Sequence, residues 1–153
     1  MQKLDPHTLF SIFEKGDEEV YKEHGMEDQL KNPFVLMGMV LKGLENYKLM
    51  DIMYKNNFPQ EYKRNQDFIR AKYYNTLYKY LDRIDSYEFD SLYSIGESFE
   101  TAKVKMALEH LLQYFEYKEE YEKCATIKRF IDHLRFTKEI RMQLDIWDIF
   151  LIL

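Results

Sequence analysis

The sequence contains little glycine or proline, with five Gly and three Pro among its 153 residues. This scarcity disfavours a turn-rich β protein, because closely spaced strands need such residues at their connections. The single cysteine, Cys124, excludes an intramolecular disulfide framework and is typical of a reducing compartment. The opening residues MQKLDPHTLF lack the apolar core of a signal peptide. We therefore expect a cytoplasmic protein that forms a single domain.

Long apolar runs are also absent. The longest uncharged internal run, NPFVLMGMVL, is about half of the roughly 20 residues that a membrane helix needs. The chain carries a net charge of −5 and has a pI near 5.4, which disfavours general attraction to nucleic acid. The sequence thus predicts no membrane span, and it makes nucleic acid an unfavoured partner.

Common catalytic motifs are missing from the chain. It has no phosphate-binding loop, no dinucleotide fingerprint, no HExxH zinc motif and no GxSxG nucleophile elbow. The four histidines lack the spacing of metal ligands. Cys124 lies on an apolar helical stripe, where a free thiol behaves as a small hydrophobic group. We therefore expect a non-enzymatic protein with no cofactor and no metal site.

Apolar residues at helical spacing dominate the rest of the sequence. Hydrophobic residues make up 46% of the chain and aromatic residues 16%, which is enough for a substantial core. Asp5-Pro6 and Asn32-Pro33 are typical helix starts, and no β period is evident. The pattern predicts an all-α bundle of about six helices. Residues 1–142 are predicted to form one domain ending in an αα-hairpin, and residues 143–153 an apolar C-terminal tail.

The predicted hairpin covers residues 108–134 and has a polar turn near its middle. One helix carries an apolar stripe that begins at Val104 and continues into the hairpin with Leu108, Leu111 and Phe115. The next helix carries the stripe Cys124, Ile127, Ile131 and Leu134. Tyr121 is expected to pack across the corner, and the small pair Cys124-Ala125 to let the two backbones approach closely.

Part of this hairpin, EEYEKCATIKRFI, resembles the UVR motif of the excision-repair proteins UvrB and UvrC and of the adaptor McsA. The matching positions are Glu120, Tyr121, Glu122, Cys124, Ala125, Ile127, Lys128 and Ile131. In that family the hairpin docks onto another protein, so the resemblance implies partner binding through Tyr121, Glu122 and Lys128. The alternative is that any tight αα-hairpin selects aromatic, small and aliphatic residues at these positions.

The C-terminal segment QLDIWDIFLIL is nearly uncharged and holds the only tryptophan. Its first residues resemble the sliding-clamp-binding motif of bacterial replication and repair proteins, which places short aliphatic and aromatic anchors in an apolar groove. The resemblance implies binding through Gln143, Leu144, Ile146, Trp147 and Phe150. Two alternatives stay open for this segment: it folds onto its own bundle, or it pairs between subunits.

A third pattern, between residues 61 and 84, interleaves basic residues with tyrosines, a combination that can bind single-stranded nucleic acid. Acidic residues in the same stretch favour a solvated helix face instead. We therefore expect an adaptor or accessory protein that binds another protein, associated with DNA repair, replication or phage transcription machinery. The alternatives are a homo-oligomeric assembly protein and a nucleic-acid-binding helical protein.

Overall fold

The computed structural model describes residues 22, 25, 30–84, 92–93, 95–96 and 99–152 of the chain. This part forms four long helices: α1 (Pro33–Asn57), α2 (Pro59–Asp82), α3 (Thr101–Tyr117) and α4 (Tyr121–Ile152). Residues 92–93 and 95–96, in the connection before α3, are also helical. No strand occurs within the described residues, so the all-α prediction is confirmed.

The predicted number of about six helices was too high for the described part of the chain, which has four. Of the six, the helix predicted after Asp5-Pro6 lies outside the described residues. The acidic stretch at residues 17–23, for which we also expect a short helix, lies outside them too, except for Lys22, which is helical. The last helix is also longer than predicted, because α4 is one helix of 32 residues where the sequence predicted a helix followed by a tail.

The first hairpin is formed by α1 and α2. The side chain of Asn32 accepts a hydrogen bond from the backbone N–H of Phe34 over 2.9 Å, and Pro33 opens the helix as predicted. Phe58 alone separates the two helices, and Pro59 starts the second. Both helices bury aromatic residues along their contact, including Tyr47, whose ring lies 5.0 Å from that of Tyr73.

The second hairpin is formed by α3 and α4, as the sequence predicted. The stripe of α3 is fully confirmed, since Val104, Leu108, Leu111 and Phe115 are all at most 1% exposed. On α4, Cys124, Ile127 and Leu134 are buried, whereas Ile131 is only partly buried. Phe130 is 1% exposed and joins this core, although the predicted stripe did not include it.

The turn between α3 and α4 is tight and has a defined geometry. Glu119 adopts a left-handed conformation with φ of 57°, and the N–H of Glu120 donates to the carbonyl of Phe115 over 3.0 Å. The N–H of Glu119 donates to the carbonyl of Glu116, which completes a Schellman arrangement. This turn brings α4 back along α3, and α3 in turn contacts α1 and α2.

Two details predicted for the hairpin corner were wrong. The side chain of Tyr121 is 70% exposed at the start of α4, which shows that it does not pack across the corner. Ala125 is also exposed, so only Cys124 of the small pair lies in the contact between the helices. Lys123 fills the corner instead: its ammonium lies 5.1 Å from the centre of the Phe115 ring and donates to Oδ1 of Asn75 over 2.6 Å.

Candidate interaction face on the C-terminal helix

The predicted C-terminal tail is the last part of α4 rather than a separate segment. The helix runs without interruption through residue 143 to Ile152, so the boundary predicted between 142 and 143 is not visible in the backbone. At about 1.5 Å per residue, residues 143–152 extend roughly 14 Å along the helix axis. The final residue of the predicted tail, Leu153, lies outside the described residues.

The apolar side chains of this segment are exposed. Trp147 is 67% exposed, Phe150 is 69% exposed, and Leu144 and Ile146 are both more than half exposed. The alternative in which the segment folds onto its own bundle is therefore wrong. Contiguous apolar patches larger than a few hundred Å² are rare on monomeric proteins and mark interaction sites.

Beyond Arg141, every described residue of α4 is exposed, because the helix projects from the bundle there, and most apolar residues of this part lie off the core-facing side. Successive residues of an α-helix are rotated by about 100°. On that spacing, Trp147 and Phe150 point about 150° away from the buried residues Ile127 and Leu134, and Ile146 points about 110° away from them. The last three turns therefore carry large apolar side chains on the side away from the bundle, while Ile149 and Ile152 remain near the core-facing side.

Charged residues take over the core-facing side of α4 at the same point. Arg141, Asp145 and Asp148 continue the line of the buried residues Phe130 and Leu134 along the helix. Packing this side against the bundle would bury two carboxylates, a step that is costly unless each one finds a partner. Neither carboxylate has an ion-pair partner among the described residues.

The two surfaces predicted from separate motifs lie on the same side of one helix. At about 100° per residue, Tyr121 and Lys128 of the hairpin surface point within about 60° of Gln143 and Phe150 of the C-terminal surface and within about 100° of Trp147, so all five lie on one half of the helix. We call this side the α4 outer face, and it spans about 44 Å from Tyr121 to Phe150 at 1.5 Å per residue. Its members are Tyr121, Lys128, Phe136, Gln143, Ile146, Trp147 and Phe150.

The remaining predicted site residues lie beside this face. Glu122 is exposed one residue after Tyr121, and Leu144 is exposed at the edge of the apolar segment. The ammonium of Lys128 lies 3.8 Å from Oε1 of Glu116 on α3, and both side chains are about half exposed or more. Exposed pairs of this kind contribute at most about 1 kcal/mol, so this one adds little to the hairpin's stability.

Phe136 is the member of the outer face that the sequence did not reveal. Its side chain is 56% exposed, between Lys128 and Gln143 along the same line. The sequence feature that could have indicated its exposure is its position off the apolar stripe of α4. The next residue, Thr137, is buried instead. A large aromatic residue out of phase with a helix's core stripe is a simple indicator of such a face.

Two potentially reactive side chains, Cys124 and His110, lie in contacts between helices. Cys124 is 4% exposed within the hairpin contact, and burial, followed by the charge of Glu116, raises the pKa of its thiol. A raised pKa disfavours the reactive thiolate. His110 points to α2, where its Nε2 shares a hydrogen bond with the hydroxyl of Tyr74. Within the described ranges, no group of three potential metal ligands comes together.

The described helices include none that is long and apolar enough to cross a lipid bilayer. Comparison of the chain with protein-family models, with curated proteins and with solved structures gave no match.

Proposed function

We propose that this chain is a non-catalytic adaptor or accessory protein that binds another protein through the α4 outer face. The observation that supports the proposal is the exposed apolar side of the last three turns of α4. Ile146, Trp147 and Phe150 are exposed and point away from the core, while Asp145 and Asp148 take the side nearer to it.

The chemistry of this face suits the insertion of a helix into an apolar groove. Gln143, Ile146, Trp147 and Phe150 follow the spacing i, i+3, i+4 and i+7, which is the spacing of anchors in helix-in-groove recognition. Tryptophan dominates binding energy when it fills a dry pocket, and a glutamine amide adds directional hydrogen bonds. The partner is therefore a protein with an elongated apolar groove that has polar groups at one end.

Two resemblances narrow the proposed setting. Residues 143–147 resemble the clamp-binding motif, which makes a DNA sliding clamp a candidate partner. The hairpin resembles the UVR motif, which suggests a partner in repair machinery. Replication and phage transcription machinery are further settings of the same kind. In each of them Tyr121, Glu122 and Lys128 would extend the contact toward the hairpin corner.

The experiment uses two variants of the full chain that differ only in the side of the helix that they change. Trp147→Glu places a charge in the outer face, and Ile152→Glu places the same charge about 140° away from Trp147, on the side of Asp145 and Asp148. Ile152 is 85% exposed, so both substitutions leave the core untouched. Each protein is used to recover partners from cells, and each recovered partner is then purified and titrated against the chain.

The proposal expects a partner that binds the unchanged chain and Ile152→Glu but binds Trp147→Glu at least roughly tenfold more weakly. Because Trp147 is the only tryptophan, its emission reports directly on the contact and should shift to shorter wavelength on binding. A purified sliding clamp is tested in the same titration. The proposal fails if every recovered partner binds the two variants equally, or if binding leaves the emission of Trp147 unchanged.

Self-association through the same face is the second candidate. Ile149 and Leu151 flank Trp147 and Phe150, so the apolar surface covers more than half of the helix circumference. A surface of this width is typical of a helix enclosed by more than one neighbour. Light scattering separates the candidates: a dimer that Trp147→Glu dissociates and Ile152→Glu does not would identify a second copy as the occupant.

A further inference from the structure

A cleft of about 570 Å³ lies where α1, α2 and α3 meet. This volume falls within the range of small-molecule sites in proteins. Three nearly buried tyrosines, Tyr47, Tyr74 and Tyr114, form part of its lining. The ring of Tyr74 stacks on that of Tyr114 with 4.2 Å between centroids and lies 5.3 Å from that of Tyr47. The cleft therefore has a rigid aromatic wall.

Two cationic side chains line the same cleft. Lys48 comes from α1 and Arg70 from α2, and neither forms an ion pair with any described residue. Nε of Arg70 donates to the hydroxyl of Tyr47 over 3.4 Å, while its two terminal nitrogens have no hydrogen bond to the described residues. Asp51 is the one carboxylate among the described lining residues, so the lining carries a net positive charge.

Both cations act on one point in the cleft. The pKa of His110 is lowered mainly by burial and further by the positive charges of Lys48 and Arg70. Nε2 of His110 shares its hydrogen bond with the hydroxyl of Tyr74, whose own pKa is raised by burial. Lys48 and Arg70 are thus both close enough to His110 for their charges to act on the same part of the cleft.

We propose that this cleft binds a small phosphorylated organic molecule, with the phosphate held between Lys48 and Arg70 and the organic body against the tyrosine wall. A guanidinium with two free terminal nitrogens matches phosphate oxygens, and an ammonium adds a second charge suited to a dianion. The cleft is much larger than a phosphate ion, which leaves room for a flat group against the rings. Asp51 lies beside the hydroxyls of Tyr47 and Tyr62 and near Arg70, where its charge offsets part of that of the guanidinium.

The site is independent of the α4 outer face, because every described lining residue belongs to α1, α2 or α3. Failure of either proposal therefore leaves the other one standing.

Nuclear magnetic resonance of the His110 ring tests the site directly. The full chain is titrated with inorganic phosphate and, separately, with adenosine monophosphate, while sodium chloride keeps the ionic strength constant. His133 lies on α4, outside the cleft lining, and serves as the internal reference. We expect saturable shifts at His110 but not at His133, and a rise in the pKa of His110 on saturation, because a bound anion offsets the charges of Lys48 and Arg70.

Matched variants on the same helices show whether the binding is specific. Lys48→Gln and Arg70→Gln should each weaken phosphate binding by roughly tenfold or more, since each removes one charge-assisted contact. Lys55→Gln on α1 and Arg64→Gln on α2 remove charges that do not line the cleft and should bind as the unchanged chain does. Lys48 is exposed, so its variant keeps the test valid even if Arg70→Gln lowers stability.

Three results would overturn the proposal. The first is no saturable shift of His110 with either probe into the millimolar range. The second is an equal loss of binding in the cleft variants and in their matched controls, which would indicate general charge attraction. The third concerns the organic body: adenosine monophosphate that binds no tighter than inorganic phosphate would show that the tyrosine wall takes no part.

Discussion

Arg141 donates a hydrogen bond from Nη1 to the backbone carbonyl of Gly96 over 2.6 Å, and its guanidinium lies over the ring of Tyr93. The contact joins α4 to the connection that precedes α3. Beyond Arg141, every described residue of α4 is exposed. The relationship therefore marks the point where α4 stops being part of the bundle and becomes a projecting helix.

The first prediction concerns the stability of these two parts of α4. Phe130→Ala removes a ring that is 1% exposed and should lower the free energy of unfolding by about 3–5 kcal/mol. Trp147→Ala removes a ring that is 67% exposed and should change it by no more than about 0.5 kcal/mol. Urea denaturation followed by circular dichroism measures both. A large loss for Trp147→Ala would show that this side chain is buried.

The second prediction compares two glycines on α1. A Cβ at Gly43 would lie 2.5 Å from Cδ2 of Leu77, which is buried, whereas a Cβ at Gly38 would lie 3.9 Å from the ring of Phe99. Alanine in a helix interior gains about 1 kcal/mol over glycine, but overpacking a core costs about 1–3 kcal/mol. Gly38→Ala should therefore raise the melting temperature and Gly43→Ala should lower it. A rise for both would mean that Leu77 has room to move.

The third prediction concerns the turn between α3 and α4. Glu119 has a positive φ, a conformation that costs a residue with a Cβ about 1–2 kcal/mol and glycine little. Glu119→Gly should stabilise the chain by about 1 kcal/mol in denaturant unfolding. Glu119→Ala is the control, because it removes the same charge and keeps the Cβ. If alanine stabilised as much as glycine, the gain would come from charge rather than from backbone conformation.

The fourth prediction concerns pH. The folded pKa of His110 lies below its ordinary value of 6.5, so the unfolded chain binds more protons in the interval between the two. The contribution of His110 to the free energy of unfolding is fully present above about pH 6.5. It is lost as the pH falls through the pKa of His110 in the folded chain. His110→Gln should therefore show a weaker fall in unfolding free energy across this interval than the unchanged chain. Denaturant unfolding at a series of pH values measures the difference, and parallel curves would contradict it.

Much of the helical architecture follows from local sequence. The Asn32-Pro33 start, the stripe from Val104 to Phe115 and the polar turn after Tyr117 depend on residues that are close along the chain, and all appear as expected. The hairpin of α3 and α4 follows because a short polar turn between two apolar stripes allows few other arrangements.

The α4 outer face could be predicted only in part. The composition of residues 143–150 indicated a binding segment, but not the side of α4 on which it lies. That side depends on helix continuity through Gln143, and the sequence pattern instead predicted a separate tail. Phe136 was missed for a related reason: an exposed aromatic residue becomes visible only after the core-facing side of the helix is known.

The sequence by itself determined that this chain is helical, that α3 and α4 form a hairpin, and that the C-terminal residues are unusually apolar. Periodicity, capping residues and composition act over a few residues, so they can be read without a structure. Only the tertiary structure decided where α4 leaves the bundle and which of its apolar residues lie off the core-facing side. It alone also placed Lys48, Arg70 and His110 around one cleft, because these residues come from three helices whose packing brings together positions far apart in the chain.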